Sequence, residues 1–549
     1  MRFKLPLIIA GSMLVLGCDP GLPEGSNDFA AGGTAVALSQ GEFNGLSAED
    51  QYMVANKLLG TMFRGVSAED FYNLDAGVAN LQPLSSSFLT DTKSALAANM
   101  SNADVLAYDT IIDGLDEEGN PVPADAKYEF DTRSDLESNR RSKQLPLARI
   151  KEYPISRDMF VHWMAYVLSN TIMFSPAEEM ESTDYTDIQN MYRFLVTSID
   201  EGTPIRQVIR SNLPSLARWR VSRSPENHAL EAYELYLGLF ETEEDSFRGG
   251  IACKDLYLTS DGDGYLIRRT DYPNTEPQLI LGTNYITTCD DLYDVIAGHS
   301  LLIPRVTEAI FNYFVEVTGD NLDYRQQFIN SIVASGPETF EDIFTAILFS
   351  REYLLNIERP KSFEENLMSL LDTLKWDPAA NAGQVDEEIF RRMTEYDGQA
   401  LDLGAMGWDT MTYKIGRIPA VPLDGLSFAN YHKALREDLL RNSNSYVGGV
   451  NNAGDGLIFD ANDDIKPVVE QMSPEEYVDF LFLNAMQRKA TAVEMTDLIA
   501  LYGPAPGLNH TQDVDGVTEI RSGRHDDIAR ITFDYISRLP EQYYFRAVN

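Results

Sequence analysis

The sequence predicts a mainly α fold: multi-helical, with helical hairpins around one buried central helix and a small β insert near residues 251–290. Three observations carry this. Apolar residues recur at three- and four-residue spacing along most of the chain, the period of an amphipathic helix. Ser or Thr stands three residues ahead of an acid just before several of these runs, as helix N-caps do. One stretch, 159–174, is apolar on nearly every side, as a helix enclosed by others would be.

Taken in order, Ser47-Ala-Glu-Asp50 is a near capping box and opens a helix with Val54, Leu58, Leu59, Met62 and Phe63 on one face. Ser67-Ala-Glu-Asp70 opens the next. Gly114, Gly119-Asn120-Pro121 and Pro123 interrupt the period, so 105–130 is expected to be an irregular or hairpin insertion. Ser156 caps the 159–174 helix, which should stop near Pro176. It carries His162, Ser169 and Asn170 and falls short of the roughly 20 apolar residues a membrane span needs. Further helices are expected over 186–199, 203–211 and 227–240.

Residues 251–290 change character. Short β-prone runs (Leu256-Tyr257-Leu258, Tyr265-Leu266-Ile267, Leu279-Ile280-Leu281, Tyr285-Ile286-Thr287) alternate with Gly, Asp, Asn and Pro. Helices resume over 290–297 and 304–317, then with Phe340, Ile343, Phe344, Ile347 and Leu348 inward. Ser362-x-x-Glu365 is a capping box ahead of Phe363, Leu367, Leu370, Leu371 and Leu374. Helices return at 427–441, 473–487, 491–502 and 524–538, with an Asn/Gly/Asp-rich loop over 443–465.

The N-terminus has the three parts of an export signal. Arg2 and Lys4 are the charged start, 5–16 is mostly apolar, and Gly17-Cys18 ends it. A small residue before a cysteine, after Leu14-Val15-Leu16, resembles the lipobox of bacterial lipoproteins, although Leu16 stands where the pattern has a smaller residue. The resemblance implies that Cys18 is diacylated and becomes the first residue. Two or more acyl chains, at about 0.8 kcal/mol per buried methylene, anchor stably. Asp19 resembles an inner-membrane retention signal, but Pro20 follows it and the choice of membrane stays open. The domain map is then 1–17 signal, 18–45 flexible Gly/Pro/Ser/Ala-rich tether, 46–375 main helical domain, 376–426 loop-rich connection and 427–549 C-terminal helical region.

With 44% hydrophobic residues the chain can build a substantial core. Its net charge of -41 repels nucleic acid and excludes it as a partner. Besides Cys18 there are two cysteines, Cys253 and Cys289, flanking the β insert and beyond the export signal. They are expected to form a disulfide, against the alternative of two buried thiols. No Cys-x-x-Cys-His is present, so covalent c-type haem is not expected.

A weak internal repeat joins helices. Met62-Phe63-Arg64 is followed by Ser67-Ala-Glu-Asp70, and Met486-Gln487-Arg488 by Thr491-Ala-Val-Glu494; Tyr236 to Thr242-Glu-Glu-Asp245 is a looser copy. This helix–Arg-x-x-Ser/Thr-x-x-acid–helix unit is similar to one in the uncharacterised bacterial envelope families named for planctomycete cytochrome-c-associated domains and their proteobacterial relatives. The stretches HWMAYVLSNTIMFSPAEEME (162–181), RVTEAIFNYFVEVTGD (305–320) and FINSIVASGPETFEDIFTAILFSREY (328–353) extend the resemblance to about half the chain. It implies a helical envelope protein found with exported partners. It carries over no catalytic residue, and the haem module of many relatives has no motif here.

Calcium is the ligand the carboxylate loops suit best. Asp261-Gly-Asp263-Gly264 offers two carboxylates and a turn but has Thr270 where an EF-hand has its bidentate Glu. Asp513-x-Asp515-Gly516 with Glu519 is similar, and Asp455, Asp460, Asn462 and Asp464 form a third oxygen-rich loop. Plain Asp/Gly turn chemistry is the competing account of each. Gly298-His299-Ser300 begins like a nucleophile elbow, but Leu302 replaces its second glycine, so a helix junction is expected. The histidines (His162, His228, His299, His432, His510, His525) make no zinc pair, and His162 reads as a core residue. Glu178, Glu179 and Glu181 suit the first turn of a helix better than acid–base work. The reading is a lipid-anchored cell-envelope protein acting as non-enzymatic scaffold or binding partner of an exported protein. An envelope enzyme with an unrecognised site and a calcium-dependent binding module stand as alternatives.

Overall fold

The computed structural model describes residues 35–66, 83–113, 120, 149–169, 171–173, 185–222, 224–259, 264–315, 322–362, 365–366, 368–369, 472–503, 510–521 and 524–548. Cys18, Asp261, Asp263, Ser67 to Asp70, Glu178, Glu179, Glu181, His432, the helix expected over 427–441 and the loop over 443–465 lie outside them. Contacts divide the chain into Met1–Gly32 and Gly33–Asn549, and every described residue belongs to the second unit.

The protein is mainly α, with only two-stranded sheets among the described residues. The caps form where the sequence puts them. The Ser47 hydroxyl accepts the Asp50 N–H at the start of α1 (Ala48–Thr61). Full capping boxes close on Ser473 and Thr491 ahead of α2 (Pro474–Met486) and α3 (Ala492–Tyr502). Each satisfies N–H groups that an uncapped helix end leaves without a partner. The central helix, α4 (Arg157–Ser169), is buried from Met159 to Ser169. Trp163 stacks on Phe160 with centroids 5.7 Å apart and meets the edge of Phe344 at 5.3 Å. Phe344 lies on α5 (Phe340–Leu348), so the two apolar runs read from the sequence form one core.

Four expectations need correction. A helix, Asn102–Asp113, occupies the start of the supposed irregular stretch 105–130, because Ser101 caps the Asp104 N–H and Gly114 follows its end. Within the supposed tether 18–45, residues from 35 onward are built into the body. Leu38 donates to the Phe349 carbonyl (2.8 Å), and Phe43 is buried on a short helix capped by Ser39. The central helix ends at Ser169, ahead of Pro176, in a turn closed by Met173 N–H on the Leu168 carbonyl. The looser repeat copy has no cap: the Thr242 side chain binds no backbone N–H, and Asp245 accepts from Leu281 instead (2.9 Å).

The described part of the C-terminal region packs into the same core as the main helices. Strand β1 (Arg359–Pro360) pairs antiparallel with β2 (Tyr544–Phe545). Val548 donates to the Leu355 carbonyl (2.7 Å), and the buried Lys57 amine donates to the carbonyls of Ile357 and Arg546. A β-carbon on Gly60 would lie 3.1 Å from the Phe545 ring, so a glycine at this place lets the C-terminal segment close on α1.

The repeat unit has a structural meaning. Arg488 holds the capping-box residue Glu494 with two parallel bonds (2.8 and 2.7 Å) while Thr491 caps the helix. Arg359 does the same to Glu365 (2.7 and 2.5 Å), with Ser362 as the cap (3.1 Å). The 359–365 copy has the same Arg-x-x-Ser-x-x-Glu spacing, so the repeat extends to the capping box at Ser362. In the copy beginning at Arg64, the guanidinium donates to the carbonyls of Ile150, Lys151 and Tyr153.

Candidate interaction surface

All four β-prone runs of the 251–290 insert form strands. The base is set by a close helix crossing. Helix α6 (Pro225–Leu237) meets α7 (Glu243–Ala252) where a β-carbon on Gly249 would come within 2.7 Å of the Ala229 Cβ, and one on Gly250 within 2.8 Å of the Glu226 Cα. Cys253, just past α7, is disulfide-bonded to Cys289, the first residue of α8 (Cys289–Gly298). Thr288 and Asp291 form a capping box there, and Asp291 also accepts the Thr287 N–H (2.8 Å). That backbone bond, ahead of burial and the bonds from Thr288, sets the balance that holds the Asp291 carboxyl below its usual range.

Strands β3 (Leu256–Leu258) and β4 (Leu266–Arg268) pair with Tyr257 opposite Ile267. Alternation sends Leu256, Leu258 and Leu266 to the core and Tyr257, Tyr265 and Ile267 to the other face. Strands β5 (Gln278–Ile280) and β6 (Asn284–Ile286) bury Ile280 and Ile286 and turn Tyr285 outward. The hairpins are tied down by polar contacts. Arg248 donates to the Leu279 carbonyl (2.8 Å), and the buried Asn274 amide bridges the carbonyls of Glu276 and Thr287 (2.7 and 2.9 Å). Arg268 reaches Asp255 and Asp290 (3.5 and 3.4 Å), and Arg210 reaches Asp290 and Asp294. The result is a held platform bearing exposed rings: Tyr285 at 73%, Tyr265 at 58%, Tyr272 and Phe247 at 57%. The sequence reading missed these as functional candidates. Their signal was parity, since Tyr265 and Tyr285 fall on the strand positions opposite the apolar ones.

The candidate chemical groups resolve differently. His228 stacks on Trp219 (4.3 Å) in a chain of hydrogen bonds. Trp219 Nε1–H donates to the Tyr293 oxygen (3.1 Å), and the Tyr293 hydroxyl lies 3.0 Å from His228 Nε2. His228 Nδ1 lies 3.3 Å from the Ser222 oxygen, and Ser222 donates to the Arg218 carbonyl (3.0 Å). One proton order satisfies every link, with His228 neutral and protonated at Nδ1. Burial, then the Arg218 charge, pushes its pKa down to about 3. Ser222 is a donor to backbone here and has no base to activate it. The adjoining recess, lined by Arg218, Ser222, Glu231 and Tyr236 among others, has room for about one water.

His162 is buried against Tyr192 (2.8 Å) and Tyr153, as a core residue. His299 and Ser300 form the junction expected between α8 and α9 (Leu302–Phe314), where His299 Nδ1 accepts the Leu301 N–H (3.2 Å). His510 is buried beside a hairpin, and His525 packs edge-on to Tyr477 (5.6 Å). The calcium set Asp513, Asp515 and Glu519 lies on the hairpin β7 (Thr511–Val514)–β8 (Val517–Ile520). Asp515 and Gly516 take left-handed φ of 54° and 85°, and Asp513 accepts the Gly516 N–H (2.9 Å). This is Asp-Gly hairpin-turn chemistry. Glu519 pairs with Gln512, one ladder step from the Asp513–Thr518 pair, so it leaves the opposite face from Asp513. The three carboxylates are not brought together, and no group of three metal-ligating residues stands among the described residues. No helix among them is long and apolar enough to cross a membrane.

Comparison with known proteins gives no match to any protein-family model, curated protein or solved structure.

Proposed function

We propose that this chain is a lipid-anchored cell-envelope protein that acts without catalysis, as scaffold or binding partner of an exported protein, and that it docks that protein on the 251–290 insert. The observation that carries this is the disulfide-held platform with its exposed tyrosines. Aromatic side chains are enriched in binding interfaces, and a backbone already tied down beneath them loses little freedom on binding. A disulfide persists outside the reducing cytosol, which agrees with the lipobox-like Gly17-Cys18 and an oxidising envelope compartment. The resemblance to helical envelope families points the same way. The water-sized recess beside His228 does not favour the enzyme alternative, and the separated Asp513, Asp515 and Glu519 do not favour calcium at that hairpin.

The test is in-cell photocrosslinking with a benzoylphenylalanine replacing Tyr285, against the same residue at the exposed Val517 of the other hairpin. The expected result is one discrete crosslinked species, bearing its own export signal, from position 285 and not from 517. Cys18→Ser should release the chain from the membrane fraction and abolish fatty-acid labelling. Equal, diffuse crosslinking from both positions would overturn the docking role; unchanged labelling in Cys18→Ser would overturn the anchor.

A further inference from the structure

We propose that the insert recognises a Lys/Arg-rich segment of its partner, seating cationic side chains on the Tyr265 and Tyr285 rings; this rests on the docking role given above. The chain already displays the chemistry within this insert. The Arg269 guanidinium lies 5.6 Å from the Tyr257 centroid and 5.8 Å from that of Tyr272, and the Lys254 amine lies 5.0 Å from Tyr272. Tyr265 and Tyr285 are the same kind of ring on the same platform, strongly exposed, and no cation lies over either among the described residues.

Charge makes the choice among partners. Residues 240–300 hold twelve acids and four bases. All four bases are engaged: Arg248 with Glu244, Arg268 with Asp255 and Asp290, Arg269 with Asp271 and two rings, Lys254 with Tyr272. The acidic surplus of this stretch of sequence attracts a cationic segment and repels an anionic one, and the whole chain's charge of -41 reinforces this at long range. Exposed rings on an acidic segment suit an ammonium or guanidinium, which takes a ring face by its charge and any carboxylate within reach by hydrogen bonds.

The experiment uses the detergent-solubilised full chain and a fluorescent decapeptide of alternating Arg and Ser. A Glu/Ser decapeptide and chitohexaose are the comparison probes. The Arg/Ser peptide should bind, weaken as salt rises and be displaced by no Glu/Ser peptide. Tyr265→Ala with Tyr285→Ala should weaken binding by about tenfold, and Tyr265→Phe with Tyr285→Phe by no more than about twofold, because the ring and not the hydroxyl makes the contact. Both side chains are exposed, so thermal melting should match the wild type. Equal peptide affinity in the alanine double variant would mean that bulk charge alone binds it and would overturn the proposal. Binding of chitohexaose but not peptide would overturn it in favour of a glycan. Either failure alongside successful crosslinking from position 285 would leave the docking role standing.

Discussion

The forks at Arg359–Glu365 and Arg488–Glu494 use one local design and meet different surroundings. In each, an arginine grips the capping-box glutamate with two bonds, and Ser362 or Thr491 caps the helix. The side chains of the first are 3% and 0% exposed, those of the second 14% and 11%. The first is roofed by the Phe545 ring (4.8 Å from Arg359), bounded by Tyr353 and neighboured by the buried Lys57; the second lies beside Phe482 (5.4 Å). Spacing makes the fork, but what covers the fork sets its energetic weight. A fully buried carboxylate stripped of its partner has no water to fall back on, whereas one that keeps some exposure recovers part of its solvation.

Breaking each fork should therefore cost unequal amounts. Arg359→Ala leaves Glu365 buried and uncompensated, and should lower stability by about 3–5 kcal/mol in urea unfolding. Arg359→Lys should rescue little of this, since an ammonium cannot reproduce the two-bond grip. The Lys57 beside it sharpens the contrast. Burial first, then the Arg359 charge, pulls its pKa down to about 7. Below pH 7 both folded and unfolded states hold the proton, and the penalty is fully present. Between about 7 and the unfolded value the unfolded chain binds more protons, so stability rises with pH. Lys57→Met should flatten the rise in urea midpoint between pH 7 and 9. No such slope attends the second fork.

Arg488→Ala should cost about 1–2 kcal/mol, the partial exposure of the pair limiting the loss. Burial would raise the Glu494 pKa, but the bonds from Arg488 and Thr491 overcome it and hold the carboxyl below its usual range. A depressed carboxylate adds stability above its unfolded pKa and loses it as pH falls through the folded one. Arg488→Ala should therefore lessen acid sensitivity below about pH 4.5 in circular-dichroism titrations. The smallest effect is the cap alone: Thr491→Ala should cost about 1 kcal/mol in thermal unfolding.

What the sequence made legible was local. Period, caps and turn residues placed the helices and the four strands of the insert, because each depends on neighbours a few residues away. Export context and position suggested the Cys253–Cys289 bond. Other features were hidden by long-range packing. Nothing local says that Phe545 and Arg546 return to α1 to close over Lys57 and Arg359, so the joined C-terminal region and the burial of the Arg359 fork were not legible, although its Arg-x-x-Ser-x-x-Glu spacing was. Asp513, Asp515 and Glu519 look like a ligand set in linear order, but strand alternation turns them apart. The outward face of Tyr265 and Tyr285 was signalled only by their alternation with the apolar strand positions, and the pairing register showed that alternation to be real.

The central claim, that the insert's exposed rings are covered by a partner in the envelope, is tested most directly by hydroxyl-radical footprinting in intact cells. Oxidation of Tyr265, Tyr272 and Tyr285 would be compared with that of the purified chain, using exposed Val493 and Val517 as references. The account predicts that the three tyrosines are protected severalfold in cells while the references react equally in both settings. Equal oxidation of the tyrosines in cells and in isolation would contradict it.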